Sequence, residues 1–302
     1  MKVLVFGAGV VGQVYAGRLA EAGHDVTVLA RNRRLQDLNA HGVHLQRGSE
    51  HMRASPHVTA EVGPGEGYDV VLVTVRRDQL ADALPVVAGL TAERVVLMMP
   101  PGDSNDVARV TGEHRTVFAF PGIGGFRAAD GTVHYVQVPQ QKTTVGRRDG
   151  LERVMVDLMR SAQFPVDVCA DMAGWLASHA VFVTGVGAAL LACHGDSAAL
   201  AADRPRVATM VRAVGEGFRS LASKDVAVLP RGLRVIFTIV PPVVSVPYWQ
   251  RQLRGPVGVI ALAPHVRASQ HTELPALCAD VRALLAGGRP HDTLERLLAT
   301  VG

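Results

Sequence analysis

Apolar positions in the first 120 residues come in short continuous runs rather than in alternation. KVLVF (Lys2–Phe6), HDVTVLA (His24–Ala30), DVVLVTV (Asp69–Val75), RVVLMMP (Arg94–Pro100) and TVFAF (Thr116–Phe120) are the clearest. Their length and near-continuous apolarity predict strands buried on both faces. Between the first two lies VVGQVYAGRLAEAG, with Val11, Val14, Tyr15, Arg18 and Leu19 at helical spacing and Gly23 placed to stop the helix. RDQLADALPVVAGL reads as a further helix between later strands. Strands alternating with helices predict an α/β fold with a doubly wound parallel sheet.

Farther on the pattern changes. ADGTVHYVQVPQQKTTVGRRDG has a turn at Asp130-Gly131 and two β-rich runs on either side of Pro139-Gln140-Gln141, which predict an antiparallel extension of the sheet. LERVMVDLMRSA reads as a helix and PVDVCA as a last strand. After about Asp171 strand signals fade, and Ala/Leu/Val-rich stretches at helical period take over, broken by PPVVSVPYW and GGRP. The expected organisation is a dinucleotide-binding domain over residues 1–169 and an all-helical domain over 170–302, with ligand chemistry outside the carboxyl ends of the strands.

The first strand runs straight into Gly7-Ala8-Gly9-Val10-Val11-Gly12, a G-x-G-x-x-G turn that opens the first helix. In this context Gly7 permits the tight turn and Gly9 lets backbone approach a pyrophosphate. Gly12 lets helix and strand pack closely, and the helix N-terminus supplies N–H groups to an anion. Where an NAD site carries an acid after the second strand, this chain has Arg31-Asn32-Arg33-Arg34. A guanidinium there can grip a 2′-phosphate through two parallel hydrogen bonds, so the expected cofactor is NADP(H).

Composition narrows the function classes. A net charge of +4 over 302 residues, with arginines scattered and without aromatic interleaving, gives no nucleic-acid surface. The three cysteines form no C-x-x-C pair and read as buried thiols in a reducing, cytoplasmic setting. The most apolar stretch, Ala180–Cys193, is too short to span a bilayer and predicts a buried core helix rather than a membrane segment. His265 and His271 flank Glu273, but no second cluster at metal-ligand spacing accompanies them, so no metal site is expected.

The order of these segments resembles the ketopantoate reductase family, which joins an N-terminal NADPH-binding Rossmann domain to a C-terminal helical domain. The resemblance rests on GAGVVGQVYAGRLAEAGHDVTVLAR, VLVTVRRDQL, FPGIGGFRAADGTVHYV, TTVGRRDG and the tryptophan-initiated helix GWLASHAVFV. It implies hydride transfer to a 2-keto acid, with a lysine and two asparagines on the helix begun by Trp175. Those three positions fall on Ala177, Val181 and Gly185 here, and all three polar groups are missing. The family's asparagine-glycine pair after the fourth strand falls on Pro101-Gly102, where only the glycine remains. Its basic residue after the third strand is kept as Arg76, and its late glutamate falls on Glu273.

On this resemblance Gly7–Gly12, Arg31, Arg76 and Gly102 are expected to hold the cofactor. Trp175, Ala177, Val181, Gly185 and His265 are expected to line the substrate pocket. Glu273 and His179 are the candidate catalytic groups, although His179 lies about 200° around the helix from Ala177 and reads more readily as a core or interdomain histidine. FPGIGGF allows either close backbone approach to a ligand or a tight bend. The missing proton donor leaves three functions open. They are a reductase of a ketone or imine other than ketopantoate, a non-redox cyclase or isomerase on the same scaffold, and a non-catalytic NADP(H)-binding protein. The expected partners are a small molecule more apolar than ketopantoate and, as an assembly, a homodimer.

Overall fold

The computed structural model describes residues 1–98, 104–139 and 141–301. The chain forms two compact units, Met1–Met172 and Ala173–Gly302, so the boundary falls three residues beyond the Cys169 expected from sequence.

The first unit is built on an eight-stranded sheet. Its strands are β1 (Lys2–Phe6), β2 (Asp25–Leu29), β5 (His57–Thr59), β6 (Gly67–Val73), β7 (Thr91–Leu97), β8 (Thr116–Phe120), β11 (Thr143–Gly146) and β12 (Val166–Cys169). Their order is β12-β11-β8-β7-β6-β1-β2-β5. From β8 to β5 every neighbouring pair is parallel, and β11 joins β8 antiparallel. Val3 and Val5 of β1 enter one core, and Leu4 and Phe6 enter the core on the opposite face, which is why β1 is apolar at every position after Lys2. β1 has β2 on one side and β6 on the other, so the chain switches direction across the sheet there.

A second, four-stranded sheet has the order β4-β3-β10-β9, from β3 (Val43–Arg47), β4 (Glu50–Ala54), β9 (Ile123–Arg127) and β10 (Val133–Gln137). This corrects part of the sequence reading. Of the two β-rich runs expected to extend the main sheet, β11 does so, while β10 pairs with β9 and β3 in the smaller sheet. Gly122 lies where the chain leaves one sheet for the other. A side chain there would collide with the backbone of Thr143, and one at Gly125 with the His134 carbonyl. Gly122 and Gly125 of FPGIGGF therefore serve protein packing at a bend.

Helix α1 (Val10–Glu21) packs against the main sheet on one side and the small sheet on the other. Gly17 brings the second contact close, because an added Cβ would press on Val43, Leu45 and Met52. Tyr15 is fully buried between the layers, 4.7 Å from the Phe164 ring, and its hydroxyl bonds the Thr143 Oγ1 at 2.9 Å. Helices α2 (Asn32–His41), α3 (Leu80–Gly89), α4 (Ser104–Thr111) and α5 (Glu152–Ser161) complete the unit.

The second unit is helical: α6 (Met172–Leu191), α7 (Ser197–Ala202), α8 (Arg204–Ala222), α9 (Arg231–Thr238), α10 (Pro242–Arg254), α11 (Ala263–Ser269), α12 (Glu273–Leu285) and α13 (Asp292–Leu298). A π-helical segment, Val257–Leu262, runs into α11. The PPVVSVPYW stretch, expected as a break, instead opens α10. Pro242 occupies the first turn, where its missing N–H has no intrahelical partner to lose. Glu216 of α8 caps α13, its carboxylate accepting from the Thr293 N–H and hydroxyl, both at 2.7 Å.

Tyr15→Phe deletes one buried hydroxyl and leaves the Thr143 hydroxyl short of a partner. The expected loss is about 1–2 kcal/mol in the stability of the N-terminal unit, read by urea denaturation. An unchanged midpoint would show that the bond between α1 and β11 adds nothing.

Candidate functional site

Register builds the first part of the site. Phe6 of β1 pairs with Leu29 of β2 and with Val73 of β6, so the segments leaving these three parallel strands emerge together at one sheet edge. From β1 comes the Gly7–Gly12 turn, from β2 Arg31, and from β6 Thr74, Val75 and Arg76. Gly7 sits at φ +119°, a conformation that side chains disfavour, and its α-carbon faces Val75. Thr74 Oγ1 donates to the Gly7 carbonyl at 2.8 Å and fixes the turn. A side chain on Gly12 would collide with that same carbonyl and approach Thr74 Oγ1 to 2.7 Å.

Gly9 differs from its two neighbours. An added Cβ there would meet nothing within 4 Å. It is exposed and caps α1 without any side-chain bond, and the first turn of α1 carries no acid. The turn thus presents open, electropositive backbone where a phosphate would rest, flanked by Ala8, Val10 and Val11. These residues fit the pyrophosphate of a dinucleotide.

Arg31 follows buried Ala30, is exposed, and precedes α2 as its N-cap. Arg33 and Arg34 both turn to Asp37, at 3.9 and 3.5 Å, whereas Arg31 has no ion pair among the described residues. Arg76 holds Asp78 in a two-pronged bond of 3.1 and 2.9 Å, so its guanidinium is engaged within its own turn. Gly102 lies outside the described residues.

In the helical unit α6 carries the expected chemistry, but its faces are not those anticipated. Val181 is wholly buried, and a side chain on Gly217 of α8 would strike it. Gly185 is buried against Val214 of α8 and Leu294 of α13. These two positions, read as pocket-lining, are helix-packing positions. Small residues here let α6 and α8 approach closely, which explains why no asparagine stands there. Ala177 is partly buried at the margin of the same core, and Trp175 is 3% exposed.

Leu176, His179, Ala180 and Val183 of α6 are half-buried and, at about 100° per residue, share the face opposite Gly185. His179 stacks on Trp175, with ring centres 5.1 Å apart and planes 7° from parallel. Phe182 continues the array toward Phe237 and Trp249. Burial, and secondarily the nearby His265 on α11, pushes the His179 imidazole down to about 3. His179 is therefore neutral at physiological pH and can donate or accept a hydrogen bond, but it holds no acidic proton to release.

One turn farther along this face, Gly187 touches Leu274 and Val266, the neighbours in sequence of Glu273 and His265. Glu273 is the first residue of α12, a position that favours a carboxylate. The fold thus sets His265 near His179, and brings Leu274, the residue after Glu273, to the same side of α6. Sequence spacing alone missed the apolar partners of that face, because it aligned the helix by lost polar residues instead of by the burial of its neighbours.

Residues 3–150 match the profile of the family described as ketopantoate reductase PanE/ApbA. That match covers 148 of the 302 residues, just under half of the chain. Among curated relatives, a 2-dehydropantoate 2-reductase of Pyrococcus horikoshii is 28% identical over 106 residues, which is 35% of each chain. The match therefore spans about a third of that relative's length. Solved structures are similar over the whole chain. A PanE/ApbA family ketopantoate reductase from Ralstonia eutropha has a TM-score of 0.75 at 20% identity, covering 100% of this chain and 97% of that one. D-mandelate dehydrogenase, solved with NADH and anilino(oxo)acetate, has a TM-score of 0.75 at 13% identity over the same shares. At these identities the likeness is one of fold.

The depressed titration of His179 has a testable consequence. In the unfolded chain the imidazole takes a proton near 6.5, and in the folded chain only near 3. Its contribution is fully present above pH 6.5 and is lost progressively as the pH falls through that interval. His179→Phe keeps a ring on Trp175 and removes the titration. Stability of the variant is expected to fall less than that of the wild type between pH 7 and pH 4. Equal losses would show that His179 charges freely in the folded state.

Proposed function

We propose that this protein is an NADP(H)-dependent reductase of a ketone or imine more apolar than ketopantoate. The observation that carries the reading is the β1–β2 register, which sets the open Gly9 turn beside an arginine that pairs with no carboxylate among the described residues. Arg31 would hold the 2′-phosphate, and the Gly7–Gly12 backbone the pyrophosphate. When bound, the nicotinamide supplies hydride to an electrophilic carbon. What remains for this chain is to orient the substrate and to manage the negative charge on its heteroatom.

The helical unit supports an apolar substrate. Ala177 offers no charge for a carboxylate, and the half-buried face of α6 opposite Gly185 carries Leu176, Ala180 and Val183 around a single polar group, neutral His179. That imidazole can donate one N–H to a carbonyl oxygen. The proton itself would come from water, because an imidazole titrating near 3 supplies none at neutral pH. Glu273 would fix a hydroxyl or amine of the substrate. The aromatic array behind His179 favours an aryl or branched alkyl substituent, and the dehydrogenase of similar fold was solved with an aryl-bearing ligand.

Cofactor titration tests the first half. Wild type should bind NADPH more tightly than NADH, and Arg31→Ala should weaken NADPH binding by about 1.5–3 kcal/mol while leaving NADH nearly unchanged. Equal wild-type affinities would exclude the 2′-phosphate role.

Steady-state NADPH oxidation tests the second half. Phenyl- or branched-alkyl-substituted 2-keto acids should exceed ketopantoate in kcat/KM by at least about tenfold, and Glu273→Gln should lower turnover on the better substrate. Ketopantoate turnover at about 10⁴–10⁸ M⁻¹s⁻¹, the range of dedicated enzymes, would overturn the substrate reading.

A further inference from the structure

A cavity of about 660 Å³ opens at the turn between β11 and α5. Arg147, Arg148 and Arg153 line it, together with Asp149, Glu152 and Ala170. The charges are not balanced across the cavity. Glu152 is 9% exposed, and its Oε2 accepts from the backbone N–H groups of Arg148 at 2.9 Å and Gly150 at 3.1 Å. That carboxylate is turned into the loop, and it already occupies the N–H groups that a ligand could otherwise use. Among the described residues none of the three arginines has an ion pair, although two carboxylates lie along the same wall. Elsewhere on the surface Arg18, Arg47, Arg109 and Arg206 each hold a carboxylate three residues away.

Topology separates this cavity from the dinucleotide turn. β1, β6, β7 and β8 run parallel, β11 runs antiparallel to β8, and β12 runs with β11. The carboxyl ends of β11 and β12 therefore lie on the sheet edge opposite Gly7. Arg147, whose N–H bonds the Cys169 carbonyl at 2.8 Å, follows β11 at that edge. Four strand spacings of about 4.8 Å also separate β11 from β1, roughly 19 Å across the sheet. No single nucleotide phosphate could serve both places.

We propose that this cavity is a second anion site, distinct from the cofactor turn, for a small molecule that carries a phosphate or linked phosphates. Three forked donors around one concavity match the several oxygens of such a group, and a volume of this size accommodates a small organic phosphate. A monocarboxylate would leave most of those donors unused.

Isothermal titration with inorganic tripolyphosphate in low-salt buffer tests this. The wild type should show saturable binding that includes a site separate from the Gly7–Gly12 turn, and this site should persist in Arg31→Ala, which alters only the other sheet edge. Arg148→Gln/Arg153→Gln should weaken binding at least tenfold with an unchanged thermal unfolding curve. If the double variant does not fold, Arg147→Gln alone should weaken binding severalfold. Absence of saturable binding in the wild type, undiminished affinity in the folded variants, or loss of binding in Arg31→Ala would each overturn the proposal.

Discussion

The contact on which the glycine-rich end of the sheet depends is that of Gly12 with the Gly7 carbonyl. Only a residue without a Cβ allows α1 to lie this close to the end of β1, and Thr74 of the neighbouring segment locks the carbonyl from the other side. Because α1 is seated there, its uncapped N-terminus is aimed over the sheet edge. The same seating lets Gly17 meet the small sheet, so α1 is enclosed by two layers, and Tyr15 can reach Thr143 on β11. A single methyl group at position 12 would move all of these together.

The electrostatics of this edge follow from what surrounds it. β1 is apolar beyond Lys2 and supplies no charge near the turn, and the first turn of α1 has no acid to compete for its N–H groups. Arg33 and Arg34 share Asp37, while Arg31, one residue past buried Ala30, stays directed by an extended backbone at the strand end. The basic character of the cluster is thus concentrated in one side chain, beside the turn.

The helical unit shows the opposite economy. Its long helix α6 is almost free of charge, and its small residues face inward to admit α8 and α13 closely. The one titratable group on α6, His179, is stacked and kept neutral. Polar side chains of the size of asparagine would find no room at 181 or 185, where α8 and α13 pack closely.

Much of the first unit was legible in the sequence. Continuous apolar runs identify strands covered on both sides, and the G-x-G-x-x-G spacing after the first of them dictates the turn because each glycine answers a steric demand within a few residues. The place of Arg31 just past the end of β2 was legible too, because the apolar run of that strand stops at Ala30. The second sheet was not: β3, β4, β9 and β10 are short, half-buried and drawn from distant parts of the chain, so only their packing on α1 defines them. The fate of α6 was also decided in three dimensions. Its residues are apolar around nearly the whole circumference, so periodicity could not say which side meets α8 and which stays open, and Val181 and Gly185 were assigned to the wrong one. Local sterics are written in the sequence, whereas the choice between two apolar faces belongs to the neighbours that cover them.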